Sequence, residues 1–141
     1  MNKLIFAFAA AGVFTGCSAA PVKEELMRPK QNGTVALLPQ HSTLVAPDAT
    51  LRYERVEDSR CPPDVVCISA GKIVYYFTLI YPTAVEPFTL EPAVPAYASL
   101  QRPDLYIALA IDPPPPRPSK APPPEAQPVI LNIGQPSPPS H

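Results

Sequence analysis

The chain has no tryptophan, five glycines, two methionines and two histidines in 141 residues. Scarce glycine leaves no phosphate-cradling loop, and neither GxSxG nor HExxH occurs. Charge is thin as well: 16% of residues are charged and the formal net charge is −1. Without a basic excess there is no stripe to follow a nucleic-acid backbone, so no nucleic-acid partner is expected. His141 is the last residue, which leaves His41 as the one internal imidazole, in the turn-like run Pro39-Gln40-His41-Ser42. Nucleophilic catalysis needs a nucleophile, a base and an orienting group; His41 reads instead as an exposed loop residue. Glu57, Asp58, Glu86 and Glu91 read as scattered surface acids rather than as a glycosidase pair. A zinc site needs about four ligands, and no such set is spaced for one. The expectation is a protein with no catalytic residues, no metal and no cofactor, hence not an enzyme.

What is present begins at the N-terminus. Met1-Asn2-Lys3 is a short positive start, Leu4 to Val13 is apolar, and Phe14-Thr15-Gly16 leads into Cys17. That order is the one of a secretory signal over residues 1–16. The apolar run is about ten residues, roughly half of what spans a bilayer. The cysteine placement resembles the lipobox of bacterial lipoproteins, with Phe14 where Leu is usual. The resemblance implies diacylglycerol on Cys17, and two acyl chains are enough for stable anchoring. Ser18, where Asp would mark inner-membrane retention, points to the outer membrane. Residues 17–33, with Lys23, Glu24, Glu25, Arg28 and Lys30, read as a lipidated flexible tether.

From Thr34 the pattern turns to β. Thr34–Leu38 is a short apolar run ended by Pro39, and Ala49–Val56 alternates Leu51 and Tyr53 against Arg52 and Glu54. Period two marks a half-buried strand. Lys72–Tyr81 is almost entirely β-branched, aromatic or aliphatic, which predicts a central strand buried on both faces; Pro82 stops it. Pro87–Glu91 and Leu105–Ile111 are shorter candidates. No stretch carries a clean helical stripe. The fold class expected is mainly β, a small antiparallel sandwich or barrel over residues 34–111. A core this small is marginal and often stapled.

The staple is legible in Asp58-Ser59-Arg60-Cys61-Pro62-Pro63-Asp64-Val65-Val66-Cys67-Ile68-Ser69-Ala70-Gly71. Pro62 pushes Cys61 to an extended conformation, and Pro63-Asp64 favours a turn. The cysteines can then approach to the roughly 5.5 Å Cα separation of a disulfide. With Cys17 lipidated, Cys61 and Cys67 pair and no thiol is left over, in an oxidising compartment. The run Asp-Ser-Arg-Cys-Pro, the spacing to Cys67, and Ala70-Gly71 resemble a motif of uncharacterised bacterial lipoproteins and secreted proteins, with Ser69 where Trp is common. The resemblance covers residues 50–80, implies an exported β domain, and carries no activity. Arg60 beside the loop has two readings, a local ion pair with Asp58 or a recognition residue.

Proline is the compositional outlier at 23 residues, against a usual share of about 5%. Residues 112–128 read as a stiff, mobile polyproline linker. Within 129–141, Val129, Ile130, Leu131 and Ile133 form a β-prone segment, either a last strand of the domain or a strand offered to a partner's sheet edge, followed by a disordered end. The function expected is a lipid-anchored interaction or assembly component of a surface complex; the alternative is a ligand- or protease-binding module presenting the Cys61–Cys67 loop. The partners expected are membrane lipid through Cys17 and another envelope protein, with a homo-oligomer also open.

Overall fold

A computed structural model describes residues 33–134. The signal segment, Cys17 and nearly all of the tether lie outside the described residues, as do residues 135–141. Within them the chain forms eight strands: β1 Gly33–Leu37, β2 Ser42–Ala46, β3 Ala49–Asp58, β4 Ile73–Ile80, β5 Val85–Leu90, β6 Ala96–Ala98, β7 Tyr106–Leu109 and β8 Val129–Gly134. The mainly β fold is the one expected. Two four-stranded antiparallel sheets, ordered β1-β8-β7-β6 and β2-β3-β4-β5, stack as a sandwich.

Alternation builds the core. Leu51 and Tyr53 of β3, Ile73, Tyr75, Phe77 and Leu79 of β4, and Phe88 and Leu90 of β5 turn inward from one sheet. Val35 and Leu37, Ile107, and Val129, Leu131 and Ile133 meet them from the other, in one continuous cluster. Aromatic rings thread it: Tyr53 stacks on Phe77 with centroids 5.1 Å apart, Phe77 on Phe88 at 5.4 Å, and Phe88 on Tyr97 at 4.3 Å. The last pair ties β5 to β6 across the sheets. Burial pushes the Tyr53 hydroxyl, with Tyr75 adding to it, up to about 12.

Three expectations change. β4 is central but buried on one face only; Val74, Tyr76 and Thr78 are half-exposed on the outer face, where Tyr76 bonds Glu57 and lies under Arg55. Two-sided burial requires a covering layer on both faces, and a two-sheet sandwich supplies one. Second, the domain does not end at Ile111. β8 lies between β1 and β7, pairing Leu37 with Val129 and Leu109 with Leu131, so the fold extends to Gly134. Third, residues 112–128 do not link the domain to a tail. They are the excursion between two neighbouring strands of one sheet.

Candidate functional site

The strand ends fall at two poles. At one lie the start of β1, the β2–β3 and β4–β5 turns, the β6–β7 loop and the end of β8. At the other lie the segment from Ser59 to Lys72, between β3 and β4, and the proline excursion between β7 and β8. The described chain therefore enters and leaves at the pole opposite the cysteine loop.

The loop is built as a continuation of the β3–β4 ladder. Ser59 N–H donates to the Lys72 carbonyl at 2.9 Å and Cys61 N–H to the Ala70 carbonyl at 3.0 Å. The Ser59 hydroxyl donates to the Lys72 carbonyl and accepts from the Lys72 N–H. Gly71 makes this possible: its φ is +65°, and a Cβ there would sit 1.9 Å from the Ser59 carbonyl oxygen. Only glycine adopts that backbone at that separation. Beyond the ladder, Cys61 and Cys67 form the expected disulfide, with Cα atoms 5.9 Å apart.

Asp58 fixes the base of the loop. It accepts from the Arg60 N–H and holds the Arg60 guanidinium through both carboxylate oxygens, at 2.8 and 2.6 Å. The hydrogen bonds and charge of Arg60 hold the Asp58 carboxyl below its ordinary value against the opposing effect of burial. Arg60 also donates to the Pro114 carbonyl at 2.7 Å. All of this engages Arg60 inward, so the recognition role considered for it gives way to the ion-pair reading.

The proline excursion is a strap. Its outgoing limb runs past Arg60 to a turn closed by Ala121 N–H donating to the Pro118 carbonyl. At that turn Ser119 donates twice to Asp64 inside the disulfide loop, from its N–H at 2.8 Å and its hydroxyl at 2.6 Å. The hydroxyl is the largest of the effects holding the Asp64 carboxyl below its ordinary value, ahead of the Ser119 N–H. The segment is extended, as its composition predicts, yet it is pinned at Pro114 and Ser119 rather than free. A long loop without secondary structure inside a compact domain is commonly functional.

What this frame displays is apolar. Val66 and Ile68, on either side of Cys67, are 102% and 109% exposed, with Val65 part-exposed beside them. Cysteine spacing located the loop, but nothing in the sequence sets these side chains apart from core residues: Val65-Val66 and Ile68 resemble a buried run. Their position inside the seven-residue Cys61–Cys67 ring, or directly after it for Ile68, is the signal that turns them out.

The residues proposed for a donated strand have another place. Val129, Leu131 and Ile133 are core side chains, Leu131 at 0% exposure, and Ile130 sits half-exposed on the outer face opposite Ala36. Both backbone edges of β8 are paired, so the segment has no free edge for a partner. His41 lies in the Leu38–His41 turn, its Nδ1 3.0 Å from the Pro39 carbonyl. Among the described residues no group of three or more His, Cys, Asp or Glu could hold a metal ion.

The opposite pole holds a polar cluster, with Val85 and Leu100 exposed beside it, each less fully than Val66 and Ile68. Glu86 is buried and accepts from the Tyr97 hydroxyl, from Ser99 at 2.9 Å, and from the N–H groups of Leu100 at 2.6 Å and Gln101 at 3.4 Å. Burial raises its carboxyl, but these donors outweigh it and hold the group below its ordinary value. Tyr97 moves the other way, raised by burial and then by Glu86. Ser99 also bonds Tyr81, and Arg102 bridges Asp48 and Asp104. Every member of this cluster is matched to another. Its geometry describes a structural clasp, with the loop pole left as the candidate site. No protein-family model, no curated protein and no solved structure matches the chain.

Proposed function

We propose that this is a lipid-anchored envelope protein, held by acyl chains on Cys17 at the outer membrane, that acts by binding and not by catalysis, with the Cys61–Cys67 loop as its binding element. The observation that carries the reading is the combination at the loop pole. Three apolar side chains stand in solvent on a loop that is covalently closed, laddered to β3 and β4, and braced by a strap. Exposing Val66 and Ile68 forgoes about 1.5–3 kcal/mol of burial for each side chain, and a fixed loop lowers the ordering cost of binding. Tethering at one pole leaves the other clear of the anchor.

Strand donation by residues 129–133 is not carried forward, because those residues form an internal strand. The loop reading is tested by replacing Val66 and Ile68 with Asp in the anchored protein and following its chemically cross-linked complexes in isolated envelope. The expected outcome is loss of those complexes with an unchanged melting temperature. Cross-linked adducts to protein and to lipid that both persist at wild-type levels would remove the loop as the binding element.

A further inference from the structure

Arg117 and Lys120 give the crown of Val65, Val66 and Ile68 a charged flank. They lie two residues before and one after Ser119, whose two hydrogen bonds hold Asp64, so their Cα atoms are within about 7 Å of that of Ser119. Both are exposed, and neither forms an ion pair with a described carboxylate. Of the other charges at this pole, Asp58 pairs with Arg60 at 2.6 Å and Lys72 with Glu91 at 2.9 Å, while Asp112 and Glu125, each five residues along the excursion from Arg117 or Lys120 and toward its two ends, form no ion pair among the described residues. Asp64 accepts both Ser119 donors. The tip of this pole therefore combines protruding apolar side chains with two uncommitted cations.

We infer, resting on the reading of the loop as the binding element, that the component it binds is an anionic lipid surface. Val66 and Ile68 enter the boundary between headgroups and acyl chains, a depth of roughly 5–10 Å, while Arg117 and Lys120 meet the lipid phosphates. Three features favour a bilayer over a protein groove. Val66 and Ile68 are fully exposed to solvent. Its exposed side chains at 65, 66 and 68 carry no polar atom that could make the directed hydrogen bonds of a protein interface. The cations sit on long flexible stems suited to mobile phosphates, with aliphatic stretches that lie along an apolar boundary. The ladder and the disulfide fix the loop below the tips, so that docking orders little further chain.

Geometry allows the contact on the bilayer that carries the anchor. About sixteen residues separate Cys17 from Gly33, a reach of up to about 50 Å. The longer strands of the sandwich span only about 27–34 Å. A docked crown then adds a second membrane contact and lays the domain against the surface.

The test uses the full mature chain carrying Cys17→Ala, so that no acyl chain drives binding, sedimented with vesicles of phosphatidylethanolamine and phosphatidylglycerol or of phosphatidylcholine alone. The expected result is sedimentation with the anionic vesicles, falling as salt is added, and at least about tenfold weaker binding to phosphatidylcholine. Val66→Asp with Ile68→Asp should reduce partitioning about tenfold or more, and Arg117→Glu with Lys120→Glu by a similar factor. All of these side chains are exposed, so melting temperature and the disulfide serve as folding controls. Absence of sedimentation, or equal sedimentation of the crown variants, overturns the inference. If the wild type ignores both vesicles while the crown variants still lose their cross-linked envelope complexes, the partner is a protein: the lipid assignment falls and the binding-loop reading stands.

Discussion

At the pole where the described chain enters and leaves, connections are short and polar groups are used up internally: Glu86 gathers Tyr97, Ser99, Leu100 and Gln101, and Arg102 clamps Asp48 and Asp104. At the opposite pole two long connections, Ser59 to Lys72 and Ala110 to Pro128, are held by a disulfide, Gly71 and a few hydrogen bonds, and valine and isoleucine face water. The same sandwich thus ends in a clasp on one side and a display on the other. The difference teaches where to look for function in a small β domain: not at the densest polar cluster, whose members satisfy each other, but where order is maintained around groups that gain nothing from being exposed.

The largest expected effect sharpens the boundary between scaffold and display. Ending the chain after Gln127 removes β8 from between β1 and β7 and takes Val129, Leu131 and Ile133 from the core. The truncated protein should not fold, read as collapse of near-ultraviolet circular dichroism and of amide dispersion. A folded truncation would make β8 dispensable and return the segment to the pool of partner-binding candidates. The strap, in contrast, should tolerate a protease nick at Arg117 or Lys120, the two fragments staying together because β7 and β8 remain paired.

Next is the clasp. Glu86→Ala leaves the buried or half-buried donors of Tyr97, Ser99 and Leu100 without an acceptor and should cost about 3 kcal/mol of stability in denaturant titration. Acid should do the same gradually. Because the folded Glu86 carboxyl lies below its ordinary value, its contribution is complete above the unfolded value near about 4.3 and is lost as pH falls through the folded value. Wild-type melting temperature should therefore fall from about pH 5 to about pH 3 more steeply than that of Glu86→Gln. Equal slopes would mean that the clasp owes little to the carboxylate's charge.

Smaller again is the staple. Replacing Cys61 and Cys67 with Ala should lower stability by about 2 kcal/mol, the chain-entropy value for a seven-residue ring, and leave the sandwich folded. Hydrogen exchange should quicken at position 61 and at Lys72 while Phe77 and Leu79 keep their protection. Loss of protection across β4 would show that the display pole supports the core, against the division drawn between the two ends.

Much of the scaffold was legible from alternation alone. Leu51 and Tyr53 against Arg52 and Glu54 gave β3 its inner and outer faces, and the run from Ile73 to Ile80 marked β4, though its lack of polar breaks overstated burial on the outer face. β2 and β6 escaped notice for a physical reason: Ser42–Ala46 is short and holds a register shift, and Ala96–Ala98 is three residues between Pro95 and Ser99. The disulfide followed from local turn chemistry. The strap did not, because polyproline composition predicts extension and stiffness but not what a stiff segment is pinned to; the bonds from Arg60 to Pro114 and from Ser119 to Asp64 join residues about 55 positions apart and leave no trace in sequence spacing. The exposure of Val66 and Ile68 was hidden for the same reason, since composition alone would bury them.

The division between the poles meets its most direct test in living cells, with a photo-activated cross-linker placed in turn at Val66, at Gln101 on the clasp pole, and at Ala36 on the outer sheet face. The account predicts adducts with envelope components, lipid among them, from position 66 and background levels from positions 101 and 36. Strong adducts from Gln101 or Ala36 with none from Val66 would contradict it and move the binding surface off the stapled loop.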